Sequence, residues 1–307
     1  MPARSPALAY LLLTLTSLFW SGNFVVARAT HAAIPPLALS FGRWAIALAI
    51  LLPFASARAW RDRALLRAQW GRVVLLGAIG IAGFNSLAYA GLHFTSATNA
   101  VLTNSFIPIL ILPLGALFLR EPFSARQALG VLISFLGVMT IFSHGELGRL
   151  LALDLNRGDL LLLLAALDWA VYTLLLRRLD PRIDRFGLLL TITAIGLVCI
   201  APFAGWEWLS GARVAPSWGN LATFLYVGIF PSVLAYLFYN YGVARVGPAQ
   251  AGSFIHLMPV FGTLLAMAFL GERFEWFHAL GMAGIFAGLL LGSLRPHVLA
   301  QPETKSP

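Results

Sequence analysis

The chain has 307 residues, 59% of them hydrophobic and only 11% charged, with a mean hydropathy of +0.83. Soluble domains carry about 25% charged residues, so an ordinary water-facing protein is excluded and a bilayer is the expected solvent. The formal net charge of +9 does not mark a nucleic-acid partner, because the basic residues sit in short loops between apolar runs, where they act as topology signals.

An apolar run of about 20 residues spans a bilayer as a helix. Ten such runs follow in order, at residues 8–27, 35–57, 72–92, 97–119, 124–143, 159–176, 186–206, 219–243, 248–270 and 275–294. The expected class is therefore an all-α integral membrane protein with ten transmembrane helices. The first run is too long, and has too many successors, to read as a cleaved signal peptide. Only a few residues around His93–Ser96 separate the third and fourth runs, the weakest of the divisions. Residues 144–158 read as a connector and 295–307 as a disordered cytoplasmic tail. With the N-terminus in the cytoplasm, fifteen Lys and Arg fall inside and five outside, with Arg43 within the second run. That bias places both termini in the cytoplasm.

The chain contains one stretch of itself twice. Residues 91–142 and 242–293, 151 positions apart, share 13 of 52 residues without a gap, among them Gly91/Gly242, Pro108/Pro259, Glu121/Glu272, Phe123/Phe274, Gly130/Gly281 and Gly137/Gly288. The opening runs match at an offset of 149, Trp20 with Trp169. Each half, 8–143 and 159–294, holds five runs. An odd number forces the second half to cross in the opposite sense, which makes an inverted repeat with its site between the halves.

Polar and aromatic residues recur at helical spacing within these runs. The first carries Trp20 and Asn23, the third Asn85 and Tyr89, and the fourth Asn99 and Thr103. The sixth carries Trp169 and Tyr172, the eighth Tyr236, Tyr239 and Asn240, and the ninth His256. Trp and Tyr favour membrane interfaces, yet Trp20 and Trp169 fall about 18 and 15 Å along their helices. Indoles and amides at that depth suggest a central cavity that binds a small organic solute, the alternative being ordinary packing between helices. Three ionisable residues lie deep, Arg43, Asp168 and His256. Intramembrane charge calls for a function or a partner. Arg43 and Asp168 lie at similar depth, about 12 and 14 Å from the outer end, so each is expected to pair with the other or with nearby amides. His256 suits substrate binding, proton carriage or neutral packing. Glu121 and Glu272, repeated at matching helix ends, read as structural. Gly284, Gly288 and Gly292, with Gly130 and Ser134, permit close helix contact within one chain or between copies, which leaves a monomer or a weak homo-oligomer.

The only lysine is Lys305 and the only cysteine Cys199. A phosphate-binding P-loop needs a lysine, and a structural metal site or disulfide framework needs clustered ligands, so neither an ATP motor nor a metal or other cofactor is expected. A Ser253–His256 dyad is the remaining route to an intramembrane enzyme, and it lacks a nucleophile-elbow context.

The motifs FWSGNFVVAR and LSFGRWAIALAILL, with the paired PILILPLGALFLREPFSARQALGVLISFLGV and PVFGTLLAMAFLGERFEWFHALGMAGIFAGL, resemble two EamA domains of the bacterial drug/metabolite transporter superfamily. The resemblance covers residues 8–294. It implies a basket of ten helices in the inner membrane that exports amino acids or related metabolites, with nucleosides, sugars or drugs as other cargo of such proteins. The aromatic interior is similar to amino-acid exporters of the YddG type. By position Arg43 matches the arginine of the second helix in the family pattern, and Glu121 and Glu272 match its two helix-end glutamates. The seventh run departs by having no arginine like Arg43.

Overall fold

The computed structural model describes residues 6–95, 97–120, 123–146, 148, 156–270 and 273–293. Among them there is no strand, and ten helical spans carry the chain. They are α1 Pro6–Thr30, α2 Pro36–Arg61, α3 Trp70–Leu92, α4 (Ala97–Asn104 and Ile107–Leu119), α5 Ala125–Phe142, α6 Arg157–Arg177, α7 Arg185–Leu209, α8 Trp218–Val246, α9 (Pro248–Ser253, a 3₁₀ turn Phe254–His256, and Leu257–Leu270) and α10 Trp276–Ser293. Nine described helices are long and apolar enough to cross a membrane, and the tenth run is the interrupted α9. The turn at His93–Thr95 confirms that α3 and α4 are separate. Glu121, Glu272, most of the connector and the tail lie outside the described residues.

Local chemistry sets many of the boundaries. Ser124 and Gln127 form a capping box at the start of α5, and Asn156 and Asp159 form one at the start of α6. Asp184 and Ser217 accept from the first free N–H groups of α7 and α8. Such caps satisfy donors that have no partner inside the helix. Between α8 and α9 the chain reverses at Gly247, whose φ of +88° suits glycine, and Pro248 then opens α9.

Each opening helix packs against the other half: α1 lies on α8 and α9, and α6 lies on α3 and α4. Helices α2 and α7, and α5 and α10, meet their own counterparts. This exchange is what a two-fold axis in the membrane plane produces. Residues 151 apart in sequence touch on that axis: Asn85 Nδ2 donates to the Tyr236 hydroxyl (3.1 Å), and the His256 ring bonds the Ser105 carbonyl (2.9 Å). The two halves are thus interleaved around one centre. The small residues of α5 and α10 are used within the chain. A Cβ on Gly130 would stand 2.6 Å from the Gly288 carbonyl oxygen, and one on Gly137 would stand 2.5 Å from that of Gly281.

Four helices deform at equivalent places. Span α4 breaks at Ser105–Phe106 before Pro108, and α9 passes through its 3₁₀ turn before Pro259. A proline removes one backbone N–H and crowds the carbonyl four residues earlier, so these breaks follow from the sequence. Helices α3 and α8 each carry a π-helical segment, Gly77–Gly83 and Ile229–Leu234. The second contains Pro231, whereas the first has no proline. The first is instead a place of close approach: a Cβ on Gly80 would lie 2.1 Å from the Tyr172 ring.

Candidate functional site

The four deformed helices and the two opening helices surround the axis at mid-depth. A central cavity there is lined by Trp20, Asn23 and Phe24 of α1, Arg43 of α2, Phe84 and Asn85 of α3, Asn104 and Ile107 of α4, Trp169 of α6, Tyr236 of α8, and Ile255 and Met258 of α9. Its volume is about 20 Å³, little more than one water occupies and far below the roughly 300–1,000 Å³ of an open ligand pocket. The site is contracted in this conformation.

Arg43 anchors one wall. It is 1% exposed. Its Nε donates to Ser232 Oγ (2.7 Å), and its Nη1 donates to Asn85 Oδ1 (2.8 Å), the Tyr89 hydroxyl (2.5 Å) and Asn23 Oδ1 (3.4 Å). Tyr89 passes its own proton to Asn23 Oδ1 (2.8 Å). Asn85 donates onward to the Ile81 carbonyl of the π segment (3.0 Å). Every one of these partners is neutral. No carboxylate pairs with Arg43 among the described residues, and its Nη2 makes no hydrogen bond to them. A buried cation solvated by dipoles alone keeps its full charge beside the cavity.

The expected pairing with Asp168 is not made. Asp168 is half-buried, turns toward α3 where its Oδ2 would stand 2.3 Å from a Cβ on Gly83, and has no polar partner among the described residues. The helical turn that aims Trp169 into the cavity aims its neighbour about 100° away. Of the two expectations for Arg43, the amides hold it.

Aromatic rings form the opposite wall. Trp20 meets Trp169 edge-on with centroids 4.9 Å apart, and Trp169 stacks on Tyr172 at 4.8 Å. Tyr236 and Tyr239 both lie 5.2 Å from Trp169. Trp20 Nε1 donates to the Pro231 carbonyl of the second π segment (3.2 Å). Behind this wall the Tyr172 hydroxyl donates to Asn240 Oδ1 (3.0 Å), and Tyr239 shares a bond with Thr173 (2.9 Å).

Three candidates sit elsewhere. Asn99 bonds Thr95 Oγ1 (2.9 Å) and Asp159 Oδ1 (3.4 Å) near the start of α6, and Thr103 Oγ1 donates back to the Asn99 carbonyl (2.8 Å). Both fall outside the cavity lining, because the face of the first α4 segment that meets the cavity is that of Asn104, about 100° around the helix from Thr103. His256 is fully buried and bonds two other helices. Its Nε2–H donates to the Ser105 carbonyl, which can only accept, and in the neutral ring Nδ1 accepts from Ser134 Oγ (2.5 Å). It ties α4, α5 and α9 together. Ser253 bonds the Ala249 carbonyl instead of His256 (2.9 Å), so the dyad is not formed. Tyr89, Tyr172, Tyr239 and Asn240 support the walls without lining the cavity.

Asn104, Phe24, Phe84, Ile107, Ile255 and Met258 were not among the expected residues. Asn104 and Ile255 share a signal: each stands four residues before a proline, at the carbonyl that loses its helical donor.

A second cavity of about 430 Å³ opens at the end opposite the arginine-rich loops, among α1, α4, α5, α9 and α10, with His144, Arg273, Glu275 and His278 at its rim. It shares Phe24 and Met258 with the central cavity. Those two side chains are the partition between them.

Comparison with known proteins agrees with this architecture. The EamA-like transporter family model matches residues 7–143 and again 156–294. The uncharacterized transporter YyaM of Bacillus subtilis (strain 168) is 27% identical over 287 residues, covering 92% of this chain and 93% of that protein. An uncharacterized transporter of Archaeoglobus fulgidus is 27% identical over 294 residues, covering 94% and 98%. A solved crystal structure superposes with a TM-score of 0.74 at 22% identity, over 94% of this chain and 97% of that one, which speaks for the fold. With two inverted five-helix repeats closing on a membrane-embedded cavity, this chain belongs to the EamA-like transporter family.

Proposed function

We propose that the protein moves small organic carboxylates, foremost amino acids with apolar or aromatic side chains, out of the cell across the inner membrane. The observation that carries this reading is Arg43, a buried cation at the cavity with neutral partners only. A substrate carboxylate would supply the missing counter-charge, received by Arg43 Nη2 and by Asn23, whose Oδ1 already serves as an acceptor and whose Nδ2 is left to donate. Trp20, Trp169 and Tyr236 would receive the side chain.

Alternating access supports the reading physically. The four broken or π-helical spans already depart from ideal helix beside the cavity, where bending costs least. On one side Phe24 and Met258 stand between the cavity and the larger one. The other side is closed by the Trp169, Tyr172 and Tyr239 stack. We assign the arginine-rich end, with both termini, to the cytoplasm from the charge bias. The wide cavity then faces outward and the aromatic stack guards the cytoplasmic route.

Proteoliposome counterflow with labelled phenylalanine, leucine, alanine, a nucleoside and a sugar tests the proposal. Uptake of amino acids that depends on Arg43 is expected. Uptake of the nucleoside or sugar alone would overturn it.

A further inference from the structure

Within the cavity one matched pair differs at the helix breaks before Pro108 and Pro259. Asn104 ends the first segment of α4, and its counterpart 151 residues later is Ile255. Both line the cavity. Asn104 is 3% exposed, and its side chain has no hydrogen-bond partner among the described residues. The neighbouring amide of Asn85 is committed on both ends, to Arg43 and to Ile81 and Tyr236. The Asn104 amide lines the cavity with no protein partner to hold it, so it is free to meet a ligand there.

The backbone at the same place points to the sign of that ligand. Pro108 has no N–H, so the Asn104 carbonyl lacks the donor that would continue the helix. Ser105 and Phe106 direct their N–H groups back to Val101, Leu102 and Thr103 instead. A carbonyl at the C-terminal end of a half-helix carries the negative end of the helix dipole and favours a cation. Asn104 Oδ1 adds a second acceptor. The cavity lining also carries donors, on Arg43, on Asn23 and on Trp169, whose indole N–H has no partner among the described residues.

We infer that Asn104, with the freed carbonyl end of the first α4 segment, is a subsite for the substrate's ammonium group, so that the cavity selects α-amino acids over carboxylates that lack the amine. This rests on the carboxylate reading of Arg43 and deepens it. Ile255 gives the mirrored position an apolar surface, which helps to fix one orientation of the zwitterion in the site. Carboxylate and ammonium would lie against residues of the first half, and the side chain against Trp20 of the first half and Trp169 and Tyr236 of the second.

The test measures binding of L-phenylalanine and of 3-phenylpropionate, the same molecule without its amine, to the full-length protein in detergent by quenching of tryptophan fluorescence. The wild type is expected to favour phenylalanine by about tenfold or more. Asn104→Leu should remove that preference by weakening phenylalanine alone, and unchanged 3-phenylpropionate binding then shows that the variant is folded. Asn104→Asp should retain the preference. If Asn104→Leu weakens both ligands equally, or if the wild type does not discriminate between them, the ammonium subsite is overturned while the carboxylate reading stands. If neither ligand binds the wild type and phenylethylamine does, the carboxylate reading falls and this inference with it. A variant that unfolds is replaced by Asn104→Ser, which should reduce the preference in the same direction, and an unchanged preference there also overturns the subsite.

Discussion

The two repeats share a backbone plan and divide the chemistry between them. In the first half, Asn23 on α1 accepts from Tyr89 on α3. In the second, the same pair is reversed, with Tyr172 on α6 donating to Asn240 on α8. The reversal moves an amide to the cavity in the first half and a phenol behind the aromatic wall in the second. The other matched pairs follow suit: Asn85 against Tyr236, and Asn104 against Ile255. Arg43 has no arginine as counterpart on α7. Duplication thus built a symmetric frame, and divergence gave the charge and the amides of the cavity lining to the first half, leaving the second half's share aromatic and apolar. A zwitterion with an apolar side chain has that same polarity.

The largest expected effect comes from removing the polar wall's charge. Arg43→Gln should lower amino-acid counterflow about 100-fold, since a buried charged hydrogen bond to substrate is lost. Arg43→Lys should not restore it, because an ammonium cannot reproduce the fork that reaches Ser232 and Asn85 together. Retention of transport within about threefold of wild type would remove the first half from the binding step.

Next is the apolar wall. Trp169→Ala should reduce uptake of phenylalanine relative to alanine by about fivefold, the scale of losing aromatic contacts. A uniform loss for both substrates would make the stack a plug and not a reader of side chains. In the frame itself, Gly80→Ala puts a methyl into the Tyr172 ring and should cost about 1–3 kcal/mol as an overpacked core. Thermal unfolding in detergent reads it. An unchanged melting temperature would show that the π segment and its partner ring shift freely.

The smallest effect lies outside the cavity, where the halves are stapled at the arginine-rich end. Asp62 accepts from Arg61 Nε (2.9 Å) and from the Asp184 N–H (2.7 Å). The Arg61 hydrogen bond first, and the Asp184 N–H second, hold its carboxyl below the ordinary range. A depressed folded pKa contributes stability that is fully present above the unfolded value, near pH 4, and fades as pH falls through the folded one. Asp62→Asn should flatten the pH dependence of the melting temperature below about pH 4 and cost about 1 kcal/mol at neutral pH. An equal acid sensitivity in wild type and variant would place the responsible carboxylates elsewhere.

The ten spans were legible because bilayer thickness sets the length of an apolar run and short loops concentrate its charge. The caps at Ser124, Asn156, Asp184 and Ser217 are local, each made within three residues of its helix start. Trp20, Trp169, Asn23, Asn85 and Tyr236 were legible as a mid-depth face. Asn99 and Thr103 misled because they share one face of the first α4 segment, and packing turned the adjacent face, that of Asn104, toward the cavity. His256 misled because its burial depends on Ser105 and Ser134, distant in sequence. The π segment in α3 gave little signal, since a glycine-rich apolar run reads equally well as an ordinary span.

The sequence alone determined the class, the number of crossings and the inversion of the repeat, because these follow from hydropathy, charge and counting along one dimension. Only the tertiary structure decided which polar groups satisfy one another. It gave Arg43 to amides and hydroxyls instead of Asp168, drew His256 away from the cavity, and left Asn104 without a partner at its wall. The physical reason is that hydrogen bonding inside a membrane is settled by which helices cross at a given depth, and each opening helix crosses the opposite half.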